Sequence, residues 1–259
     1  MPYEPEKNIP QNKNNAMDLT FKNVPINSYE DWENEFKKRH KEDNQWVVGN
    51  SEEALARFIM KYDGMIRIGY TINEIFKELG IRDNVAFFDH AEIEHASKFD
   101  EFKNPRKQDL GVWGETKNVK KLFIGIEAKV NEPFGNTISK ALQDAKEYLK
   151  NHPNSKAVTR INNLTRDYLG CTPEEVGDLR YQLLYSLAGT ACEEADIRFM
   201  FPITFITNEY KSDKHEEDYN EFMKKVIGIK QEKVNELYSL PSKNLYAYYT
   251  RVALNYEQY

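Results

Sequence analysis

The sequence contains little cysteine, with only Cys171 and Cys192 among its 259 residues. Two cysteines this far apart offer neither the paired spacing of a thiolate zinc site nor the density of a disulfide-stabilised secreted domain. We therefore expect two reduced thiols and a cytoplasmic location.

Long apolar runs are also missing from the sequence. No stretch approaches the roughly 20 apolar residues of a membrane-spanning helix. Residues 1–15 lack the apolar core of a signal peptide. The sequence therefore predicts a protein that has no membrane partner.

The sequence has no excess of positive charge, since its formal net charge is −6. This balance argues against a protein that coats nucleic acid through bulk charge. It leaves room for an enzyme that contacts phosphate locally. The chain is 40% hydrophobic, and its length suffices to bury a substantial core.

Helix and strand patterns are present from residue 28 onward. Residues 1–27 are rich in Asn, Pro and Lys without periodicity, so we predict a flexible N-terminal extension, followed by a single domain over residues 28–259. Because Pro202 lacks an N–H group, we predict that it lies in an edge strand or at the start of a strand. The predicted helices are 28–41, 51–62, 72–79, 138–149, 157–169, 173–191 and 213–226, and the predicted strands are 85–95, 109–116, 122–130, 199–207 and 245–254.

The chain is organised around a β-hairpin predicted within residues 107–134. Two strand-like runs, 109–116 and 122–130, are separated by a polar turn. Side chains alternate between the two faces of a strand. In the second run this alternation places Glu127 and Lys129 together on one face. The other face is apolar and predicted to be buried, with Leu122, Ile124, Ile126, Ala128 and Val130.

The register of the hairpin depends on where its turn is centred. A turn centred on Asn118 sets Asp109 opposite Glu127, whereas a turn centred on Val119 sets it opposite Lys129. Both registers place the three charged side chains on the same face. A slip of one residue would bury the charges, so the apolar pattern disfavours it.

Two carboxylates and one ammonium on an apolar strand suggest a metal site. Carboxylate oxygens are ligands that Mg²⁺ prefers, and a neighbouring lysine can orient or deprotonate a water or stabilise charge on phosphate. A cross-strand salt bridge with one carboxylate left over is the structural alternative. The spacing alone slightly favours the salt bridge, whereas the hairpin geometry favours the metal site.

His90 and His95 raise the question of a zinc protease. Such enzymes carry H-E-x-x-H or H-x-x-E-H on a helix, which sets the two histidines one turn apart. The run H-A-E-I-E-H has a different spacing and is predicted to be a strand. We therefore set a zinc protease aside.

At these residues the sequence resembles a known superfamily. Gln108-Asp109 followed by Ile126-Glu127-Ala128-Lys129 resembles the core of the PD-(D/E)xK nucleases, which include many restriction and repair endonucleases. Gln108 stands where the name of the superfamily has proline. Further matching stretches resemble an uncharacterised branch of endonucleases and extend the resemblance over about half of the chain: Ile93-Glu94-His95, Glu132-Pro133-Phe134-Gly135 and residues 179–184.

The resemblance implies a fold and an activity. The implied fold is α/β and restriction-endonuclease-like, with a central mixed β-sheet flanked by helices. The implied activity is that of a nuclease dependent on Mg²⁺ or Mn²⁺, with the metal held by Asp109, Glu127 and the Ala128 carbonyl, and with Lys129 positioning or activating water. The implied substrate is nucleic acid, with DNA expected. Because many restriction-type members are dimers, a homodimer is also implied.

The resemblance points to further residues near this site. An acidic residue on the helix before the sheet often joins the site, which makes Glu52 or Glu53 a candidate. Acids in a first helical turn more often interact with the helix dipole, and we prefer that interpretation here. Glu94 is another candidate, because its segment leads into the Asp109 strand.

Gln182 is a further catalytic candidate, and Tyr185 follows it. The two residues resemble the Gln and Tyr that some exonuclease-like members carry on the helix behind the active strand, although the spacing is one residue short. A solvated polar face explains the same residues equally well. Two other functions remain open: a non-catalytic nucleic-acid- or protein-binding module with this fold, and a hydrolase of another phosphorylated substrate.

Overall fold

A mixed β-sheet runs through the middle of the protein in the computed structural model, which describes residues 17–40, 46–208, 210, 214–226, 237–240 and 244–255. Nine strands make up the sheet within these residues. They are β1 (Asp18–Phe21), β2 (Val24–Pro25), β3 (Val85–Ser97), β4 (Arg106–Thr116), β5 (Lys121–Lys129), β6 (Ile197–Ile206), β7 (Leu237–Leu240), β8 (Leu245–Tyr248) and β9 (Thr250–Ala253).

The strands follow the order β2-β1-β3-β4-β5-β6-β8-β7, and β9 pairs with β6 beyond the end of β8. β3, β4 and β5 are antiparallel neighbours, whereas β5 runs parallel to β6. The prediction of an α/β fold with a central mixed sheet flanked by helices is therefore confirmed.

Helices cover both faces of the sheet. The helices are α1 (Tyr29–Arg39), α2 (Ser51–Lys61), α3 (Gly64–Glu78), α4 (Ile138–Asn151), α5 (Ala157–Leu164), α6 (Tyr181–Cys192) and α7 (Lys214–Met223). One apolar cluster packs α1, α2 and α3 against one face, and a second packs α4, α5, α6 and α7 against the other. β6 is strongly apolar because both of its faces are buried.

Most of the predicted elements are confirmed with shifted ends. The helix predicted at 72–79 begins earlier, at Gly64. The helix predicted at 157–169 is α5 continued by a π-helical turn, Thr165–Leu169. Residues 41 and 213, where two predicted helices end or begin, lie outside the described residues. Among the described helices, none has both the length and the apolar character needed to cross a bilayer.

The predicted N-terminal extension differs from the structure in its second half. Asp18–Phe21 pairs in parallel with β3, and Val24–Pro25 pairs back onto it. Leu19 and Phe21 are buried in the core, and this burial fixes the segment to the sheet. Residues 1–16 of the predicted extension lie outside the described residues.

The helix predicted at 173–191 is broken in the structure. A 3₁₀ turn, Pro173–Val176, with the Thr172–Glu175 capping box, is followed by non-helical residues before α6 begins. The backbone there bonds to the start of α4: Ile138 N donates to Leu179 O at 2.8 Å, and Tyr181 N donates to Asn136 O at 3.0 Å. These tertiary hydrogen bonds replace the helical ones.

The prediction that Pro202 marks a sheet edge is wrong. β6 lies inside the sheet, where β8 pairs with it as far as Met200 and β9 pairs with it from Ile203 onward. Pro202 falls in the gap between these two strands. Its missing N–H group therefore leaves no bond of the sheet unmade.

Candidate active site

The β4–β5 hairpin sets Asp109 opposite Glu127. The observed pairs include Leu110 with Ile126 and Gly111 with Gly125, which is the register of a turn centred on Asn118. Backbone pairing ends at Leu110. Beyond it, the Asp109 side chain accepts a hydrogen bond from Ala128 N at 2.7 Å. The carboxylate thus replaces the strand partner that β5 lacks at this point.

Glu127 and Lys129 project from β5 into the same buried space. They are 0% and 5% exposed, and the Lys129 ammonium donates to Glu127 Oε1 at 2.6 Å and to the Ala128 carbonyl at 3.0 Å. The opposite face of β5 is apolar and buried, as predicted. The structure therefore brings Asp109, Glu127 and Lys129 together at one end of the hairpin.

Gln182 joins this group from the first turn of α6. Its amide Nε2 donates to the same Oε1 of Glu127 that Lys129 contacts. Gln182 therefore contacts the cluster, whereas the alternative interpretation placed it on a solvated polar face. Because the break before α6 sets the position of its first turn, the local backbone at residues 177–180 determines this contact.

The second oxygen of Glu127 has no donor. Glu127 Oε2 is buried and lacks a hydrogen-bond partner among the described residues. The Asp109 carboxyl is close, but two carboxyl groups can hydrogen bond only when one of them carries a proton. A buried carboxylate oxygen without a donor is a favourable position for a cation.

Three carboxyl groups and one ammonium interact electrostatically at this end of the hairpin. Burial, with the charge of Asp109 adding to it, raises the pKa of Glu127 to about 8, and burial and Asp109 likewise raise the pKa of Glu52 to about 8. Burial also raises the pKa of Asp109, against the opposing effect of Lys129. Burial lowers the pKa of Lys129, but Glu127 and Asp109 outweigh this effect and raise it, so the lysine is an ammonium. The raised pKa values reflect the free-energy cost of holding all three carboxyl groups ionised in this buried cluster.

The structure separates the roles of Glu52 and Glu53. Glu53 is fully buried and accepts hydrogen bonds from Tyr29 Oη at 2.7 Å, Arg57 Nε at 2.7 Å and Gly49 N at 3.0 Å, so it ties α1 to α2. Glu52 accepts from Trp32 Nε1 at 2.8 Å and interacts electrostatically with Asp109 and Lys129. The helix-dipole interpretation, which we preferred, therefore missed Glu52 as a member of this cluster.

Glu94 lies opposite Asp109 on β3 but is engaged elsewhere. It accepts from Lys107 Nζ at 2.6 Å and lies 2.9 Å from His40 Nε2. Its φ of 52° is in the left-handed region, which marks an irregular point in β3. The Lys107 ammonium thus already balances the charge of this candidate.

His90 and His95 do not form a zinc site. His90 stacks on Trp113 with ring centroids 4.3 Å apart, and His95 lies between Glu92 and Glu193 at 2.9 Å and 2.8 Å. Within the part of the chain that the structure describes, no three or more His, Cys, Asp and Glu side chains are placed to hold a metal ion by themselves.

The donor set at the end of the hairpin nevertheless fits a magnesium ion. Mg²⁺ usually takes one or two carboxylates from a protein and completes its octahedron with water and substrate oxygens. Asp109, Glu127 and the Ala128 carbonyl supply hard oxygen donors of this kind. Glu127 Oε2 has no donor among the described residues, and ionisation of these buried carboxyl groups is costly; a divalent cation would relieve both.

Comparison with known proteins gives a family match. The chain matches the family described as Domain of unknown function (DUF6946) over residues 25–253. No curated protein and no solved structure matches it.

Proposed function

The chain belongs to the family described as Domain of unknown function (DUF6946), and we propose that it is a divalent-metal-dependent nuclease that hydrolyses phosphodiester bonds of nucleic acid, with DNA as the expected substrate. One observation carries the proposal: two carboxylates and a lysine converge at the point where β4 and β5 part, and one buried carboxylate oxygen lacks a donor there. The resemblance of the same residues to PD-(D/E)xK nucleases supports it.

Each side chain of the cluster has a role in this proposal. Asp109, Glu127 and the Ala128 carbonyl would hold the metal ion. The Lys129 ammonium orients the attacking water and stabilises negative charge on the phosphate. Gln182 holds the Glu127 carboxylate in place through its amide, and Glu52 adds negative charge from the other face of the sheet.

The reaction is hydrolysis of a phosphate diester. The water oxygen forms a bond to phosphorus, the bond from phosphorus to one sugar oxygen breaks, and that oxygen leaves with a proton. The bound cation supplies Lewis-acid polarisation of the phosphate and a lowered pKa of the water.

A cleavage assay tests the proposal directly. Plasmid, linear duplex and single-stranded DNA are incubated with Mg²⁺, Mn²⁺, Ca²⁺ or chelator. We expect cleavage with Mg²⁺ or Mn²⁺, weaker support from Ca²⁺, and none with chelator. Asp109→Ala, Glu127→Ala and Lys129→Ala should each abolish cleavage with the fold retained by circular dichroism.

Matched controls are present on the same hairpin. Lys121→Ala removes an exposed lysine from the far end of β5, and Glu115→Ala removes a carboxylate from the far end of β4. Both variants should cleave like wild type. Cleavage that survives in all three site variants would disprove the proposal.

One observation favours a non-catalytic module instead. Lys129 already engages Glu127 Oε1 and the Ala128 carbonyl, two of the groups that would hold a metal. Such an arrangement is also that of a buried salt bridge. Calorimetric titration with Mn²⁺ separates the two functions, because a module without a metal site gives no binding heat that Asp109→Ala removes.

Location and assembly complete the proposal. Cys171 and Cys192 are both free, which supports a cytoplasmic protein. A homodimer would allow two sites to cut both strands of a duplex. Light scattering of the purified protein at several concentrations tests for the dimer.

A further inference from the structure

A cavity of about 460 Å³ opens beside the carboxylate–lysine cluster. Its walls come from α4, α5 and the first turn of α6, together with the start of β4. Its polar and aromatic lining includes Arg106, Tyr148, Tyr181, Gln182 and Tyr185. The volume falls within the range of small-molecule sites.

The cavity and the cluster share structural elements. Gln182 lines the cavity and also donates to Glu127. Arg106 lines it from β4, three residues before Asp109. A ligand in the cavity would therefore lie next to any phosphate held at the cluster.

The lining of the cavity suits a flat, aromatic ligand. The Tyr181 and Tyr185 rings meet edge to face, with centroids 5.6 Å apart, and the Arg106 guanidinium lies 5.5 Å and 5.4 Å from the two centroids. The Tyr148 ring is 53% exposed and stacks on His152 at 3.8 Å. Aromatic rings and arginine planes are the groups on which proteins stack nucleobases.

Small and polar side chains complete the wall. Ala141, Ala145 and Ala157 leave the space open, and Asn136 and Asp144 add amide and carboxylate groups that can meet the edge of a base. Asp144 is paired with Lys140 at 2.5 Å, which offsets its charge near a phosphate backbone. A base can enter such a recess only when it is out of a duplex stack.

We propose that this cavity binds one unpaired nucleobase, next to the phosphate that is cut. The inference rests on the nuclease function proposed above and deepens it, since it names single-stranded segments and frayed ends as the preferred substrate. The base belongs to the strand that is cut; a free nucleotide carries the same base, and the last experiment below distinguishes the two.

An abasic scan tests the proposal. A single abasic site is placed at each position of an end-labelled single-stranded oligonucleotide, and the cleavage products are resolved as a ladder with Mg²⁺ present. We expect cleavage to fall by about tenfold at a phosphate in fixed register with the abasic site, because loss of one stacked base costs that order of affinity. A ladder unaffected by the abasic site overturns the proposal.

Variants assign the effect to the cavity. Tyr148→Ala removes an exposed stacking surface, and Ala141→Leu fills the space. Both should cleave intact strands less and lose the dependence on the abasic site. Phe87→Ala, an aromatic residue on β3 that is 40% exposed, should keep the wild-type pattern. If the two cavity variants keep that pattern as well, the base binds elsewhere and the proposal fails.

A second measurement separates this inference from the nuclease proposal. The fluorescence of a strand carrying 2-aminopurine is titrated with protein in Ca²⁺, and 2-aminopurine nucleotide is titrated in a parallel arm. Quenching of the strand but not of the nucleotide identifies the strand as the source of the base, and the reverse identifies a free nucleotide. If the protein cleaves the strand, the abasic site has no effect at any position and neither arm shows quenching, the cavity proposal is overturned and the nuclease proposal stands. Absence of both cleavage and quenching overturns the two together.

Discussion

Replacement of Glu127 by glutamine separates the folding cost of the candidate site from its function. Burial and Asp109 raise the pKa of Glu127 from 4.5 to about 8. Between these pH values the folded protein keeps a proton that the unfolded chain has released. The free energy of unfolding therefore decreases as the pH rises through this window, and the cost is complete above pH 8. At about 1.4 kcal/mol per pH unit of pKa difference, this cost is at most about 5 kcal/mol.

Glu127→Gln keeps the shape of the side chain and an oxygen acceptor for Lys129 and Gln182. Its amide can also donate to Asp109. Because proton sharing with Asp109 reduces the cost in wild type, we expect the variant to be more stable by about 2–3 kcal/mol at pH 9 in chelator. This corresponds to a rise in Tm of roughly 5–10 °C. At pH 5 the two proteins should be nearly equal.

The assay is thermal and urea unfolding at pH 5, 7 and 9, with and without Mg²⁺. A saturating metal at 100 times its Kd should stabilise wild type by about 2.7 kcal/mol and leave Glu127→Gln unchanged, and the variant should not cleave. The control Glu115→Gln, on the far end of β4, should show the same dependence of stability on pH and Mg²⁺ as wild type. Parallel loss of stability in wild type and Glu127→Gln between pH 5 and pH 9 would refute the reasoning.

Further predictions concern neighbouring residues. Glu53→Gln should lower the free energy of unfolding by about 3 kcal/mol, because it takes a carboxylate away from the buried arginine it pairs with. By contrast, Glu52→Gln should keep stability at pH 6 and weaken Mn²⁺ binding about tenfold in calorimetry. Gly125→Ala should cost roughly 1–3 kcal/mol in urea unfolding, since its methyl group would lie 2.0 Å from a buried amide oxygen. Burial lowers the pKa of His95, but Glu193 and a second carboxylate outweigh this effect and raise it. The stabilisation that these carboxylates give the protonated ring is complete below pH 6.5 and is lost as the pH rises through the raised pKa. His95→Gln should therefore remove this dependence of Tm on pH.

The sequence predicted the hairpin and limited its register to two alternatives, because both features depend on local rules. Alternation of apolar and polar residues determines which face of a strand is buried, and the length of the polar turn limits the register to two choices. One of the two registers sets Asp109 opposite Glu127, and the observed pairing of Leu110 with Ile126 selects it. The position of Lys129 follows from the same alternation.

The break before α6 could not be predicted because its cause is tertiary. Thr172 and Pro173 are correct start signals, but they begin a 3₁₀ turn that ends at Val176. The backbone of the following residues bonds to the start of α4. At Gly177 a Cβ would lie 2.2 Å from Ser139 Oγ. Contacts between segments that are distant in sequence override the helical pattern here, and they decide where Gln182 points.

Glu52 and Glu53 illustrate the same limit at the level of one residue. Both are acids in the first turn of α2, and the local sequence gives them equal status. Their roles differ because Glu53 faces Tyr29 and Arg57 in the core, whereas Glu52 faces the end of the hairpin. Only the packing of α2 against the sheet separates them.

The site exists because β4 and β5 stop pairing with each other before either strand ends. Pairing with β4 stops at Ile126, whereas parallel pairing with β6 continues to Lys129. In the gap so formed, the Asp109 carboxylate takes the N–H of Ala128, Gln182 reaches Glu127 from one face of the sheet, and α2 brings its acid from the other. A fold that only needed stability would fill such a gap with apolar side chains, because buried carboxylates without enough partners are costly. The retained cost at Glu127 therefore supports the proposal that this position binds a cation.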